Sequence, residues 1–497
     1  MRINGAIYVL FLAALLLSGR AGAAEAAKPD PRADELQALQ AEVRRLAQEL
    51  EAMKAKEPKA EPSPAAAEAA ESSALAERID VIEIQQKDAV VKGDVPGSFR
   101  VPGTELSIRL YGFAELNYVH AFGPDNSDID YATFPPYLPL NDTPEGERKN
   151  RDYLTARTSR FGLEAATPTR YGVLGVKLEG DFNNEPRTGN TAQYGTSDNI
   201  FTQQQTSSYG FRIRHAYGTF GGLLVGQTWS TFMDVDNYPE TVDFNGPTGA
   251  TFIRQPQIRY SYGMPSAGTF TIAVENGSSY VLDSRAELAP GEENPDYFLP
   301  VPSSLTYVPD VVVRWDKGFQ WGALSARAMT QQLRFDDGAG TDAATRGWGA
   351  AASASFKVRG TDWLAMQVTG GDGVGRYLNY IEGALYDGVA DEIRKERAIG
   401  VIAGYQHKPA DWVRVNLVYG ATRNFDNDYT DAAKATGLGS TRFGVNRYVQ
   451  QLHLGPIFTP VKGVDLGVEG IVAQRKTLAG EKGDDLRLNV SFKYYIN

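Results

Sequence analysis

Arginine side chains recur on the polar face of segments in which apolar and polar residues alternate. Around Arg212 and Arg214, the residues Phe211, Ile213 and Tyr217 occupy the opposite face, which would be the outer face of a barrel. Because successive side chains of a β-strand point to opposite faces, this alternation predicts strands with one arginine-bearing face. A guanidinium presents a planar fork of donors that matches a carboxylate, so such a face could bind small anions.

The same phase argument assigns further charged residues to the polar face of the predicted strands. The basic ones are Arg109, Arg160, Lys177, Arg212, Arg214, Arg259, Arg314, Arg327 and Arg414. The acidic ones are Glu115, Glu164, Glu179, Asp181 and Glu469. Cations outnumber anions, which predicts a preference for anionic solutes. The alternative is that these charges pair with one another and only keep the wall wetted.

The last segment of the chain shows the alternation most clearly. Its even-numbered positions from Leu486 to Ile496 are apolar or aromatic, whereas the odd-numbered ones are polar or tyrosine. A period of two over this length exceeds the usual strand of a soluble protein and matches a tilted membrane crossing. About sixteen such segments follow one another from Leu106 onward, and an even number suits a closed bacterial barrel.

The connections between these segments alternate between short and long. Short ones include Gly221-Gly222, Asp316-Lys317-Gly318 and Lys408-Pro409-Ala410, and long ones lie near 183–208 and 229–254. Turns at one end and loops at the other are typical of outer-membrane barrels. We therefore predict an all-β fold, a transmembrane antiparallel β-barrel of about 16 strands wide enough for an aqueous channel.

Aromatic residues lie near the ends of the predicted strands. Examples are Trp229, Trp363, Trp412 and Tyr494. Their collective placement predicts the aromatic girdles that border a bilayer.

The loop near 229–254 contains two prolines and two glycines that favour a defined shape. Folded inward, this loop would constrict the lumen. Its carboxylates Asp234, Asp236 and Asp243 would then oppose the wall arginines and create a transverse field. The alternative is an external loop with solvated carboxylates.

The N-terminal part differs in character from the predicted barrel over 98–497. A charged start, a short apolar run and small residues predict a cleaved signal peptide over 1–24. Apolar residues spaced alternately by three and four predict a coiled-coil helix within 25–56. The spacing leaves open whether two or three chains pair. Residues 57–97 are predicted to form an Ala/Pro-rich linker and a short helix, and both chain termini should lie in the periplasm.

Composition excludes several classes of function. The chain has no cysteine, which excludes disulfides, thiolate metal sites and a cysteine nucleophile. Its net charge of −11 argues against nucleic acid as a partner. The four histidines show no spacing typical of a catalytic Ser-His-Asp group. We therefore expect no enzyme, no catalytic residues, no metal and no cofactor.

Several motifs resemble those of the DcaP-like porins. They are Arg157–Gly162, Leu178–Phe182, Arg212–Gly218, Val225–Phe232, Asp243–Pro247 and Arg254–Tyr260. The resemblance implies a homotrimeric outer-membrane barrel of a Gram-negative bacterium, preceded by a periplasmic coiled coil, that takes up dicarboxylates and similar small acids. It implies an anion path formed by Arg160, Arg212, Arg214, Arg254 and Arg259, to which the strand phase adds Arg109 and Arg414.

One feature departs from the pattern of such barrels. They usually end on an aromatic residue, whereas this chain ends on Ile496 and Asn497. The predicted function is passive uptake of small anionic solutes through a barrel embedded in outer-membrane lipid. The alternative is a structural envelope protein that binds the cell wall through its coiled coil.

Overall fold

The structure is a computed structural model that describes residues 91–124, 133–183, 210–285, 304, 306–379, 381, 383–437 and 445–496. The predicted signal peptide, the predicted coiled coil and most of the predicted linker lie outside these residues. No helix among the described residues has the length and hydropathy needed to span a bilayer.

Within the described residues, sixteen antiparallel strands form one closed sheet, which confirms the predicted β-barrel and its strand number. The first eight are β1 Ser107–Pro124, β2 in two segments Lys149–Thr155 and Arg160–Thr169, β3 Gly172–Asp181, β4 Arg212–Phe220, β5 Leu223–Trp229, β6 Arg254–Met264, β7 Gly268–Glu275 and β8 Asp310–Phe319. The others are β9 Gly322–Asp336, β10 Asp342–Lys357, β11 Trp363–Asp372, β12 Arg397–Ala410, β13 Val413–Asn424, β14 Asn446–Val461, β15 Val464–Thr477 and β16 Lys482–Ile496.

The barrel closes between its last and first strands. The β16–β1 ladder runs from Ile496 opposite Gly112 to Arg487 opposite Ala121. Every other strand pairs with its neighbours in the chain. Two further short strands, Val91–Lys92 and Phe99–Arg100, pair with each other, and the second of them pairs with the start of β1.

The loops carry the remaining regular structure. A second sheet contains Leu282–Asp283, Ala384–Asp387 and Glu392–Lys395. Short 3-10 helices lie at Pro135–Tyr137 and Gly375–Tyr377, and the helix α1 spans Asp428–Ala435. All of these elements lie in long connections, at the end of the barrel opposite to the short turns.

Alternation divides the wall into an apolar outer face and a polar inner face. On β16, Phe492 and Tyr494 are exposed at 45% and 62% on the outer face. Arg487 and Asn489, one position out of phase, are buried inside the barrel. The outer face of a membrane barrel contacts lipid, so large exposed apolar side chains are favourable there. The buried polar residues indicate that much of the interior is filled.

Two of the three short turns named above lie a few residues later than predicted. β8 continues to Phe319, which pairs with Gly322, and β12 continues to Ala410, which pairs with Val413. The turns are therefore residues 320–321 and 411–412. Side-chain type alone did not separate the polar end of a strand from the turn that follows it.

A register shift between β3 and β4 changes which side chains of β4 face the lumen. Glu179 pairs with His215 and Gly180 pairs with Ile213, so Arg214 is an extra residue. A bulge of this kind reverses the phase of all later residues in the strand. Tyr217 consequently lies opposite Lys177 on the inner face, whereas strict alternation predicted the outer face.

The closure can be tested with cysteine pairs, because the chain has no cysteine of its own. Ala114 of β1 and Tyr494 of β16 lie directly opposite each other, at a separation that a disulfide can bridge. We expect the folded A114C/Y494C variant to cross-link on oxidation and to show altered migration on a denaturing gel until it is reduced. The matched pair A114C/V368C joins distant strands and should not cross-link within one chain. Equal behaviour of the two pairs would contradict the closure.

Candidate functional site

The connection between β5 and β6, residues 230–253, folds into the lumen; we call it the inner loop. The backbone N–H groups of Val242 and Asp243 both donate to the Glu469 carboxylate of β15 at 3.0 Å. The backbone N–H of Thr248 donates to Gln451 of β14 at 2.8 Å. The loop is thereby fixed to the wall opposite its own strands.

A glycine permits the closest approach of the inner loop to the wall. Gly249 has a φ of +85°, and a Cβ atom at this position would lie 2.4 Å from the Ala421 carbonyl oxygen and 2.6 Å from that of Val401. Only glycine tolerates both this conformation and this contact. The returning half of the loop therefore lies directly on β12 and β13.

The acidic residues of the inner loop differ in what they contact. Asp234 is fully buried and lies 3.3 Å from the Arg314 guanidinium of β8. Burial alone would raise the pKa of this loop carboxyl, but Arg314 and hydrogen bonds from two polar neighbours hold the pKa below its ordinary value. Asp234 therefore neutralises a wall arginine.

Asp243 and Asp236 have contrasting surroundings. Asp243 is buried and accepts hydrogen bonds from the backbone N–H and hydroxyl of Thr133 at 2.6 and 2.7 Å. Asn489 donates to the same carboxylate at 3.3 Å. Asp236 is exposed. Of the three predicted constriction residues, only Asp236 thus presents its carboxylate to solvent.

Glu240 of the inner loop forms a bidentate ion pair that was not predicted. Its carboxylate accepts from Arg414 at 2.7 and 2.8 Å, and Arg414 also contacts Asp465 at 2.8 Å. Arg414 lies on the inner face of β13, as predicted, but two carboxylates hold it. The sequence contained no local signal for this partner, because Glu240 and Arg414 are far apart in the chain.

Arg160, Arg212, Arg214 and Arg254 lie together on the wall that faces the inner loop; we call them the arginine cluster. Each guanidinium group is close enough to at least one other for their positive charges to repel. The ring of Phe244, in the inner loop, lies 5.8 Å from the Arg214 guanidinium carbon. The inner loop therefore packs against the arginine cluster inside the lumen.

Two members of the cluster are held by carboxylates of β3. Arg212 donates two hydrogen bonds to Asp181, at 3.0 and 2.9 Å. Arg214 is almost fully buried and bridges Glu179 at 2.9 Å and Asp181 at 2.8 Å. These two guanidinium groups are thus fixed in position and largely compensated in charge.

The positive charges of the other two members, Arg160 and Arg254, are less fully neutralised. The Arg160 Nε lies 3.5 Å from Glu179 without forming a hydrogen bond. Arg254, the first residue of β6, forms no ion pair with any carboxylate of the described residues, and its buried Nη1 has no hydrogen-bond partner there. Four guanidinium groups and two carboxylates, Glu179 and Asp181, leave the cluster with a formal charge of +2 (four minus two).

The remaining predicted arginines lie apart from the cluster. Arg109 lies 3.3 Å from Glu164, which also accepts a hydrogen bond from Lys177 at 3.0 Å. Arg259 is half-buried on β6 and interacts electrostatically with Arg314. The structure thus brings together four of the seven predicted residues.

Comparison with known proteins gives a family and a fold. The sequence profile of the porin subfamily matches residues 96–451. The outer membrane channel DcaP of Acinetobacter baumannii is similar to this chain at 26% sequence identity and a TM-score of 0.63, covering 82% of this chain and 100% of that chain. This match agrees with the resemblance seen in the motifs around the arginine cluster.

Two other solved structures are more distant. The anion-selective porin from Comamonas acidovorans shares 14% identity at a TM-score of 0.44, covering 79% of this chain and 100% of its own. OmpT of Vibrio cholerae shares 14% identity at a TM-score of 0.44, covering 82% and 100%. No curated relative matches the chain.

The packing of the inner loop can be tested with two glycine variants. G249A should force the loop away from β12 and β13 further into the lumen, at a cost of roughly 1–3 kcal/mol of folding free energy. Single-channel conductance in a planar bilayer should fall. G338A is the control, because Gly338 has a similar φ of +68° and a Cβ atom there would meet nothing within 4 Å. Equal conductance of the two variants would contradict this packing.

Proposed function

Because this chain belongs to the porin subfamily, a family of outer-membrane channels rather than enzymes, we propose that it mediates passive uptake of small anionic solutes such as dicarboxylates. The observation that carries the proposal is the net positive arginine cluster, faced by a loop whose carboxylates are mostly occupied. In this proposal the solute moves between the arginine cluster and the inner loop, a route that we call the passage. On the side of the cluster, an anion meets guanidinium groups whose positive charge is not fully neutralised. On the side of the inner loop it meets one exposed carboxylate, that of Asp236.

The charge balance across the passage supports anions over cations. Of the four carboxylates of the inner loop, Asp234 and Glu240 pair with wall arginines and Asp243 is buried, which leaves Asp236 as the exposed one. Rings of arginine favour anions in channels. The inner loop therefore determines the shape of the passage, and the arginine cluster determines that it prefers anions.

The arrangement of the cluster supports a solute with two carboxylates. Arg160 and Arg254 are the members that donate no hydrogen bond to a carboxylate of the described residues, so each guanidinium group could bind one carboxylate group of the same solute. A charge-assisted hydrogen bond contributes about 1.5–3 kcal/mol when shielded and less in water. Binding of this strength is weak enough for rapid release, as a channel requires.

We also propose the organisation of the complete chain. Residues 1–24 act as the signal peptide, and 25–56 form a periplasmic coiled coil joined to the barrel by 57–97. The resemblance to DcaP-like porins and the apolar heptad spacing support a homotrimer. In the outer membrane, the short turns face the periplasm and the long loops face the exterior.

Ion selectivity tests the proposed function. In a planar bilayer under a KCl gradient, we expect the wild-type channel to give an anion-selective reversal potential and to be blocked by succinate. Replacing one of the four guanidinium groups should shift the potential toward cation selectivity, so R160A should also weaken the block. R334A is the control, because Arg334 pairs with Asp336 and Asp342 near the rim.

Two results would contradict the proposal. A cation-selective wild-type channel would keep the barrel and refute the role of the arginine cluster. Folded protein that forms no channels at all would favour the envelope-anchor alternative.

A further inference from the structure

Trp229 lies inside the barrel and not in an aromatic girdle. It is the last residue of β5, directly opposite Arg254 in the β5–β6 ladder. The Arg254 guanidinium carbon lies 4.3 Å from the centre of the Trp229 ring, and that of Arg214 lies 5.7 Å from it. The His215 ring is 5.9 Å away. Trp229 therefore contacts two members of the arginine cluster.

The contact with Trp229 differs in kind from the ion pairs elsewhere in the cluster. Asp181 and Glu179 fix Arg212 and Arg214 by contributing negative charge, which cancels most of the attraction for a solute. The face of an aromatic ring also attracts a guanidinium, but it carries no net charge. A ring can therefore hold an arginine in one orientation and leave its full charge available.

We propose that Trp229 is a positioning residue for anion binding, whose ring face holds Arg254 in the passage without neutralising it. This inference rests on the proposed function, since it concerns the same solute path. Arg254 is the cluster member without a carboxylate among the described residues, and Trp229 makes the shortest cation–ring contact of the described cluster. Without the ring, Arg254 would sample many rotamers, and solute binding would have to restrict them.

Trp229 also has a structural contact that the test must separate. Its ring packs edge-to-face on Phe252, 4.9 Å away, at the other end of the inner loop. Loss of the tryptophan could therefore act by loosening the base of this loop. Phenylalanine retains an aromatic face and most of the packing, whereas leucine retains apolar bulk without the ring.

The test measures succinate block and reversal potential for wild type, W229F and W229L. We expect W229L to weaken the block by about 10-fold, the scale of a partly shielded cation–ring contact, and to lower anion selectivity at nearly unchanged conductance. W229F should retain most of the succinate block and most of the anion selectivity of the wild type. W363L is the control for loss of a tryptophan, because Trp363 lies at the short-turn end of β11 and donates to Gln406.

The outcomes distinguish the inference from the function on which it rests. If wild type is not anion-selective, the proposed function fails. If wild type is anion-selective and W229L matches it, or if W229L changes conductance without rescue by W229F, Trp229 is only a structural residue and the inference is wrong.

A fluorescence measurement applies even if W229L does not fold. Succinate bound at Arg254 should alter the emission of the indole beneath it. We expect a saturable change in wild-type protein in detergent that is absent in W229F, over the concentration range that blocks the channel. No change in wild type, or the same change in W229F, would overturn the inference.

Discussion

The hydrogen-bond ladder between β16 and β1 is the constraint on which the rest of the structure depends. A sheet in hydrocarbon has no water to satisfy a free edge, so it must close on itself. Closure with sixteen strands fixes a circumference too large for wall side chains alone to fill. The inner loop occupies part of that space and packs against the arginine cluster. The space left for solutes therefore depends on both the number of strands and the length of this connection.

Packing a loop against the inner wall of a barrel buries charged groups of both the loop and the wall. Burying a charge without a partner is unfavourable. The structure avoids this by pairing charges across the contact, as with Glu240 and Arg414. Where no arginine is opposite, backbone N–H groups satisfy a carboxylate, as at Glu469. Such contacts are stronger when shielded from water. Ion pairs with Arg314 and Arg414 neutralise two of the four carboxylates of the inner loop, Asp234 and Glu240.

The sequence predicted what depends on local periodicity and missed what depends on contacts between distant residues. The strand number, the alternation of short and long connections and the inward direction of Arg160, Arg212 and Arg214 follow from a period of two. The period of two did not reveal the bulge at Arg214, so the prediction that Tyr217 faces outward was wrong. Glu240 had no recognisable partner in the sequence. Trp229 resembled any aromatic residue at a strand end, since periodicity cannot tell the lumen from the membrane interface beyond the last strand residue.

The base of the inner loop connects pore shape to pore chemistry. The loop leaves β5 at Trp229 and returns to β6 at Arg254, so the residues that end its two strands are also members or contacts of the arginine cluster. Ser230 and Thr231, the next residues of the loop, donate to the buried Glu275 carboxylate of β7 at 2.7 Å. The cluster is therefore attached where hydrogen bonds hold the base of the loop to the wall. If solutes bind at Arg254 as proposed, this base limits how far the backbone of Arg254 can follow them and favours release.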